Sequence, residues 1–244
     1  MAPSPSSGIE LTVYAAASLK GVLARAEAAY EAANAGVTLT ISTDSSAALA
    51  TQIELGAPAD VFLSADTKNP HALAAAGLTD GDPVAFAGNE LTIIVPAANP
   101  ARIITPADLA GEGVRIIAAG DEVPITRYAE RLVANLASLD GYPADFGARY
   151  AANIVSREDN VKAVVAKVQL GEGDAGIVYR TDAAAADGLV VVDVPAGANV
   201  PATYSGVVVG ASRHPEAARA FLGWLAGPGG QAILVELGFG PPPS

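Results

Sequence analysis

A chain of 244 residues that is 51% hydrophobic can bury a sizeable core without covalent staples, in one large domain or in two α/β lobes. It has no cysteine, which excludes disulfides, thiolate nucleophiles and cysteine-ligated metals, and its formal net charge of -12 argues against nucleic acid or an anionic membrane as partner. No apolar run approaches the roughly 20 residues of a membrane span. The opening MAPSPSSG is rich in Pro and Ser and lacks an apolar h-region, so residues 1–8 read as a flexible tether rather than a signal peptide. A native start and the remnant of a trimmed secretion signal both fit it.

The elements then follow in a regular order. LTVYA (11–15) reads as a buried strand, and Leu19, Val22, Leu23, Ala26 and Tyr30 recur at helical spacing behind it. VTLTIST (37–43) alternates like a strand and runs into DSSAALATQIELG, a capped helix closed by Gly56. ADVFLSA (59–65) is a third strand, followed by a short Ala-rich helix near 69–76. This strand–helix alternation predicts a parallel sheet with helices on its faces.

NELTIIVPA (89–97) reads as one further strand, ended by Pro96, and the pattern restarts after it. GVRIIAA (113–119) is a strand. EVPITRYAERLVANL is a helix with Pro124 in its first turn and Tyr128, Leu132 and Leu136 on one face. ANIVS (152–156) is a strand, and Val161, Val164, Val165 and Val168 form a helical stripe. AGIVY (175–179), LVVVDV (189–194) and YSGVVVGA (204–211) are strands. PEAARAFLGWLA (215–226) and GGQAILVELGF (229–239) close the chain as helices, with Phe221 and Trp224 in the core. The chain thus crosses near 89–97 and returns near 200–210. The fold class expected is α/β, two doubly wound lobes joined by a two-crossing hinge. Residues 9–91 and 207–244 form lobe 1, and residues 92–206 form lobe 2. A cleft between such lobes is the usual ligand position.

The strand-to-helix junctions carry the chemistry. In a parallel sheet they gather at the carboxyl ends of the strands. Here they offer Ser18, then Ser45 and Ser46, then the Pro124-Ile125-Thr126 turn, then EDNV at 158–161, with no Lys or Arg. Backbone N–H groups at a helix start have no intrahelical acceptor, and the helix dipole favours an anion there. Serine at such a place is also the commonest N-cap, so capping and ligand donation both stand for Ser18 and Ser46. His71 and His214 lack a second ligand at metal spacing and read as surface loop residues; no metal site is expected. No GxSxG or GxxxxGK[ST] occurs, so no enzyme is expected either.

The segments VYAAASL, SSAALATQIELGAPADVFLSAD, VPITRYA, EDNVKAVVAKV and GEGDAGIVYRTDA occur in this order between about residue 9 and residue 239. They resemble the periplasmic molybdate-binding proteins of ABC importers. The resemblance implies a type II periplasmic binding-protein fold. It also implies a tetrahedral dianion, molybdate and with it tungstate, held only by neutral hydrogen bonds. The ligand residues it implies are the hydroxyls of Ser18 and Ser46, the backbone N–H groups of Ile125 and Val161, and the hydroxyl of Tyr179. It implies no cofactor. Its implied partners are the membrane permease subunits of an importer, with the protein itself a monomer. The location it implies is periplasmic or extracytoplasmic, with lipid anchoring of a longer precursor left open. A binding protein for sulfate or another tetrahedral oxyanion is the alternative reading.

Two positions depart from the family pattern. Position 125 is usually small, and a β-branched residue there narrows or reorients the cleft. The turn reads EDNV where some members have EDV, so the donor falls on Val161 or one position away. Ser45 either caps its helix or exchanges roles with Ser46. Asp60, Asp66 and Asp182 lie in the recognisable motifs, but a carboxylate repels a dianion, so they read as structural. Arg127 and Arg180 read as surface or hinge pairs. The acidic surface does not forbid anion binding, because charge beyond a Debye length of about 8 Å is screened. A shell of donors only selects the fully deprotonated ion: a phosphate that keeps a proton meets no acceptor for it.

Overall fold

β1 (Ile9–Ala16) buries Leu11, Val13 and Ala15, the alternate residues that a strand turns to one face. These contacts come from a computed structural model, which describes residues 8–243. The tether expected over residues 1–8 lies, but for Gly8, outside the described residues. By its internal contacts the chain forms two units. One reaches Ala87 and resumes over Thr203–Pro242, and the other is Gly88–Ala202.

In the first unit β1 leads through a short 3-10 turn (Ala17–Leu19) into α1 (Lys20–Ala33). The predicted stripe Leu19, Val22, Leu23, Ala26 and Tyr30 is buried throughout. β2 (Val37–Asp44), α2 (Ser46–Glu54), β3 (Val61–Ser64) and α3 (Lys68–Ala75) follow as the pattern predicts. Gly56 ends α2 at φ +87°, a left-handed conformation that disfavours a side chain. β4 (Val84–Asn89) closes this part of the chain.

The second unit begins with β5 (Leu91–Pro96). Next come β6 (Ile116–Ala119), α4 (Pro124–Ala137), α5 (Phe146–Ala152), β7 (Ile154–Glu158) and α6 (Val161–Gln169). β8 (Gly176–Tyr179), α7 (Arg180–Ala184) and β9 (Leu189–Val192) complete it. The chain then re-enters the first unit through β10 (Ala202–Val208), α8 (Pro215–Ala226) and α9 (Pro228–Glu236).

The first unit holds a five-stranded sheet in the order β2-β1-β3-β10-β4. β1 pairs in parallel with β2 and β3, whereas β10 runs antiparallel to β3. Leu49, Ile53, Phe62, Leu73 and Val207 pack together on one side of it. Tyr30 meets Phe221 and Trp224 edge-on, with centroids 5.0 and 5.1 Å apart, so the two late aromatics are core residues as expected.

In the second unit β5 runs antiparallel to both β8 and β9, and β6 pairs in parallel with β7. Both units are α/β, but neither sheet system is wholly parallel. The exceptions are β5 and β10, the strands that follow the two passages of the chain between units.

Three local expectations need correction. The strand expected over 89–97 is β5, but a strand before it was not foreseen: VAFAGN pairs into the first sheet as β4 despite the weak strand propensity of Ala and Gly. The helices α5 and α7 were not foreseen; at 7 and 5 residues they are too short to show a periodic stripe. His71 lies on α3 rather than in a loop, whereas His214 precedes α8 as its N-cap residue, outside the helix.

Candidate functional site

The first unit contributes two serines. Ser18 lies inside the 3-10 turn after β1 and is buried, and no side-chain cap is made at the start of that turn or of α1. Capping therefore does not explain it. Its Oγ instead shares a hydrogen bond with the hydroxyl of Tyr204 at 3.0 Å.

Ser45 is the N-cap of α2: its backbone is extended and its Oγ accepts the Ala48 N–H at 3.3 Å. That division of labour leaves Ser46 uncommitted to capping. It is the first residue of α2, almost wholly buried, and its Oγ accepts the Ala65 N–H at 3.0 Å. A backbone N–H can only donate, so the Ser46 hydroxyl keeps its own proton to give, while Ser18 is held by a second hydroxyl.

The second unit contributes two helix starts and a tyrosine. Pro124 occupies the first position of α4 and Ile125 the second, so the Ile125 N–H lies in the first turn, where no intrahelical acceptor exists. Ile125 itself is buried, and its side chain lines a cavity of about 290 Å³ under α4, together with Ala129, Val133, Tyr150 and Ile177. The branched side chain is therefore housed within the second unit's own packing.

α6 begins at Val161 because Asn160 caps it, its Oδ1 accepting the Ala163 N–H at 3.1 Å. Asn160 is the additional residue of the EDNV turn, so it adds a cap and leaves the Val161 N–H as the first of the helix. Tyr179 ends β8, is buried, and sets its ring against Tyr128 with centroids 6.3 Å apart. Gly176, three residues before it, lets β8 run close beneath α6: a Cβ there would come within 2.9 Å of Val164.

The charged residues of the motifs are engaged within their own units. Asp60 accepts the Thr12 N–H at 2.8 Å and the Ser212 hydroxyl. Asp66 accepts the Ser64 hydroxyl at 2.8 Å and the Asn69 N–H at 3.0 Å. Asp182, fully buried in the first turn of α7, pairs with Lys162 at 2.7 Å. Burial raises its carboxyl above the usual carboxylate range, and Lys162 and the Tyr179 N–H draw it only part of the way back. Arg180 pairs with Glu90 at 3.4 Å on the surface. Among the described residues no group of three or more His, Cys, Asp or Glu is placed to hold a metal, and no helix is long and apolar enough to cross a membrane.

What this equipment can do is donate. Two hydroxyls with protons to give and two helix-start N–H groups form neutral, donor-rich surfaces suited to a deprotonated oxyanion. The Tyr204 contact and the Lys162–Asp182 pair were not read from the sequence. Tyr204 lies 186 positions from Ser18, and no periodicity joins them.

The comparisons with known proteins agree with that chemistry. The sequence profile of the bacterial extracellular solute-binding proteins matches residues 11–240. The molybdate-binding protein ModA of Mycobacterium tuberculosis H37Rv is 34% identical over 240 residues, covering 98% of this chain and 87% of that protein. The periplasmic molybdate-binding protein of Azotobacter vinelandii superposes with a TM-score of 0.79 at 26% identity, over 96% of this chain and all (100%) of that one. The sulfate-binding protein SubI of Mycobacterium tuberculosis H37Rv superposes with a TM-score of 0.85 at 23% identity, over 96% of this chain and 87% of that one, and shares the fold.

Proposed function

The chain belongs to the bacterial extracellular solute-binding proteins, and from that premise we propose that it captures molybdate and hands it to the membrane permease of an ABC importer. The ion is held by the hydroxyls of Ser18, Ser46 and Tyr179 and by the N–H groups of Ile125 and Val161. Tungstate, with the same shape and charge, is bound as well. The protein acts outside the cytoplasm as a monomer, uses no cofactor and catalyses no reaction.

One observation carries the reading most directly. Ser46 accepts from the Ala65 N–H and keeps its own proton to give, and Ser18 is a buried hydroxyl held by the Tyr204 hydroxyl rather than used as a cap. Such hydroxyls favour a fully ionised tetrahedral ion and disfavour one that retains a proton. Each hydrogen bond to a charged ligand contributes roughly 1.5–3 kcal/mol, so a handful outweighs the several kcal/mol lost on immobilising a small ion.

Calorimetric titration tests this. Wild-type protein is expected to bind molybdate and tungstate with closely similar affinity and to ignore phosphate. Combining Ser18→Ala with Tyr179→Phe should abolish measurable molybdate binding. Undiminished affinity in that double variant refutes the site, and tight phosphate binding refutes the donor-only shell. Sulfate in the same series decides the alternative ligand.

A further inference from the structure

We infer that Tyr204 is a positioning residue that fixes the polarity of the Ser18 hydroxyl and so makes it a dedicated donor to the ligand. The inference rests on the reading of Ser18 as a ligand residue.

The two proposed serine ligands are held differently. Ser46 accepts from a backbone amide, Ala65 N–H, which has a proton and no lone pair to offer. Its hydrogen-bond direction is therefore fixed by covalent structure. Ser18 is held by another hydroxyl. A pair of hydroxyls can point either way. With Tyr204 donating, Ser18 keeps its proton for the ligand; with Ser18 donating, it turns a lone pair to the ligand and repels an anion.

Acidity decides between them. A phenol, with pKa near 10, is a far stronger acid than an aliphatic alcohol and is the better donor, so the Tyr204-to-Ser18 direction is favoured. Donation into Ser18 Oγ also polarises the Ser18 O–H bond and strengthens what it gives onward. The arrangement is rigid. Tyr204 is fully buried on β10, its ring edge-on to Phe86 at 6.2 Å and to Phe239 at 5.5 Å. A buried, clamped ring holds its oxygen in one place, 3.0 Å from Ser18. Phenylalanine would satisfy the same apolar packing, so the hydroxyl is the part that packing leaves unexplained.

The experiment is a double-mutant cycle read by molybdate titration. Tyr204→Phe keeps the ring and removes the donor; it is expected to weaken molybdate binding roughly five- to tenfold. Ser18→Ala is expected to weaken it by roughly 10- to 100-fold. In the Ser18→Ala background, Tyr204→Phe should then have no further effect, because its target is gone. The discrimination of molybdate over phosphate should also fall in Tyr204→Phe, since the released hydroxyl can turn to accept the phosphate proton.

Equal losses from Tyr204→Phe with and without Ser18 would make Tyr204 a packing residue and overturn the inference. So would full affinity in Tyr204→Phe beside a weakened Ser18→Ala. Full affinity in Ser18→Ala would instead refute Ser18 as a ligand and remove the premise. A fluorinated tyrosine at position 204 guards against a Tyr204→Phe protein that does not fold. It keeps the ring and the hydroxyl, so it should bind molybdate at least as tightly as wild type, and a loss as large as that expected for Tyr204→Phe counts against the inference.

Discussion

Lys162 Nζ lies 2.7 Å from Asp182 Oδ1, with the carboxylate fully buried and the ammonium one-third (33%) exposed. The pair joins the first turn of α6, directly after Val161, to the first turn of α7, directly after Tyr179. It therefore braces the two elements that carry proposed ligand residues, and it pairs off the lysine that directly follows Val161.

Removing the lysine should show what the pair does. The Asp182 carboxyl sits above the ordinary range because of burial, despite Lys162. A raised folded pKa means that the folded protein keeps a proton which the unfolded chain releases. That contribution is complete below the unfolded value of about 3.9 and is lost as pH rises through the folded one. Lys162→Met leaves burial opposed only by the Tyr179 N–H and raises the folded value further. The variant is expected to lose about 3 kcal/mol near neutral pH, the low end for breaking a buried pair, since the lysine is partly exposed. The loss should shrink on acidification. Melting temperatures of both proteins across a pH series check this; a pH-independent difference contradicts the assignment.

Ser45 and Ser46 should separate stability from affinity. Ser45→Ala removes the cap of α2 and should cost about 1 kcal/mol in urea unfolding while leaving molybdate affinity near wild type. Ser46→Ala leaves the buried Ala65 N–H without its acceptor, costing about 1–3 kcal/mol, and also removes a ligand hydroxyl. Only the second change should weaken molybdate in calorimetry, by roughly tenfold or more. The reverse pattern would exchange the roles of the two serines.

Ile125→Ala should do the opposite of what a side-chain ligand does. The donor at this position is a backbone N–H, which the substitution keeps, whereas the side chain is buried against a cavity of about 290 Å³. Truncation should enlarge that cavity and cost about 2–4 kcal/mol of stability. Molybdate affinity of the folded protein should be retained. A large loss of affinity with little loss of stability would show the side chain itself shaping the ligand site.

How far these features were legible in the sequence depended on their range. The buried faces of α1 and α6 could be read directly, because Val22, Leu23, Ala26 and Tyr30, or Val161, Val164, Val165 and Val168, recur at the spacing of one helix turn along a short local segment. Position along the chain also placed Ser18, Ser46, Ile125 and Val161 at helix starts. What spacing left open was the direction of each hydrogen bond. Ser45 or Ser46 as cap is decided by φ, ψ and a 3.3 Å contact. Tyr204 to Ser18 and Lys162 to Asp182 are pairings that exist only once strands from distant segments lie side by side. α7 escaped because five residues cannot display a period.

Acid sensitivity should be governed in part by Asp174. This carboxylate precedes β8 and binds Arg115, which precedes β6, through the Arg115 backbone N–H at 2.8 Å and its guanidinium at 2.8 Å. Burial pushes the Asp174 carboxyl up, but the hydrogen bonds and charge of Arg115 outweigh it and hold the group below the ordinary carboxylate value. For an acid with a depressed folded pKa, the stability gained is complete above the unfolded value of about 3.9 and disappears as pH falls through the folded one. Asp174→Asn keeps the shape and removes the charge. It should cost about 1–3 kcal/mol at neutral pH, less than a fully buried pair because Arg115 is half exposed. It should also flatten the acid limb, so that variant and wild type converge as the pH is lowered. Urea unfolding at a series of pH values measures both effects. Curves that stay parallel down to strongly acidic pH would mean that the carboxylate of Asp174 does not exchange its proton on unfolding, and that the tie between the β6 and β8 approaches owes nothing to its charge.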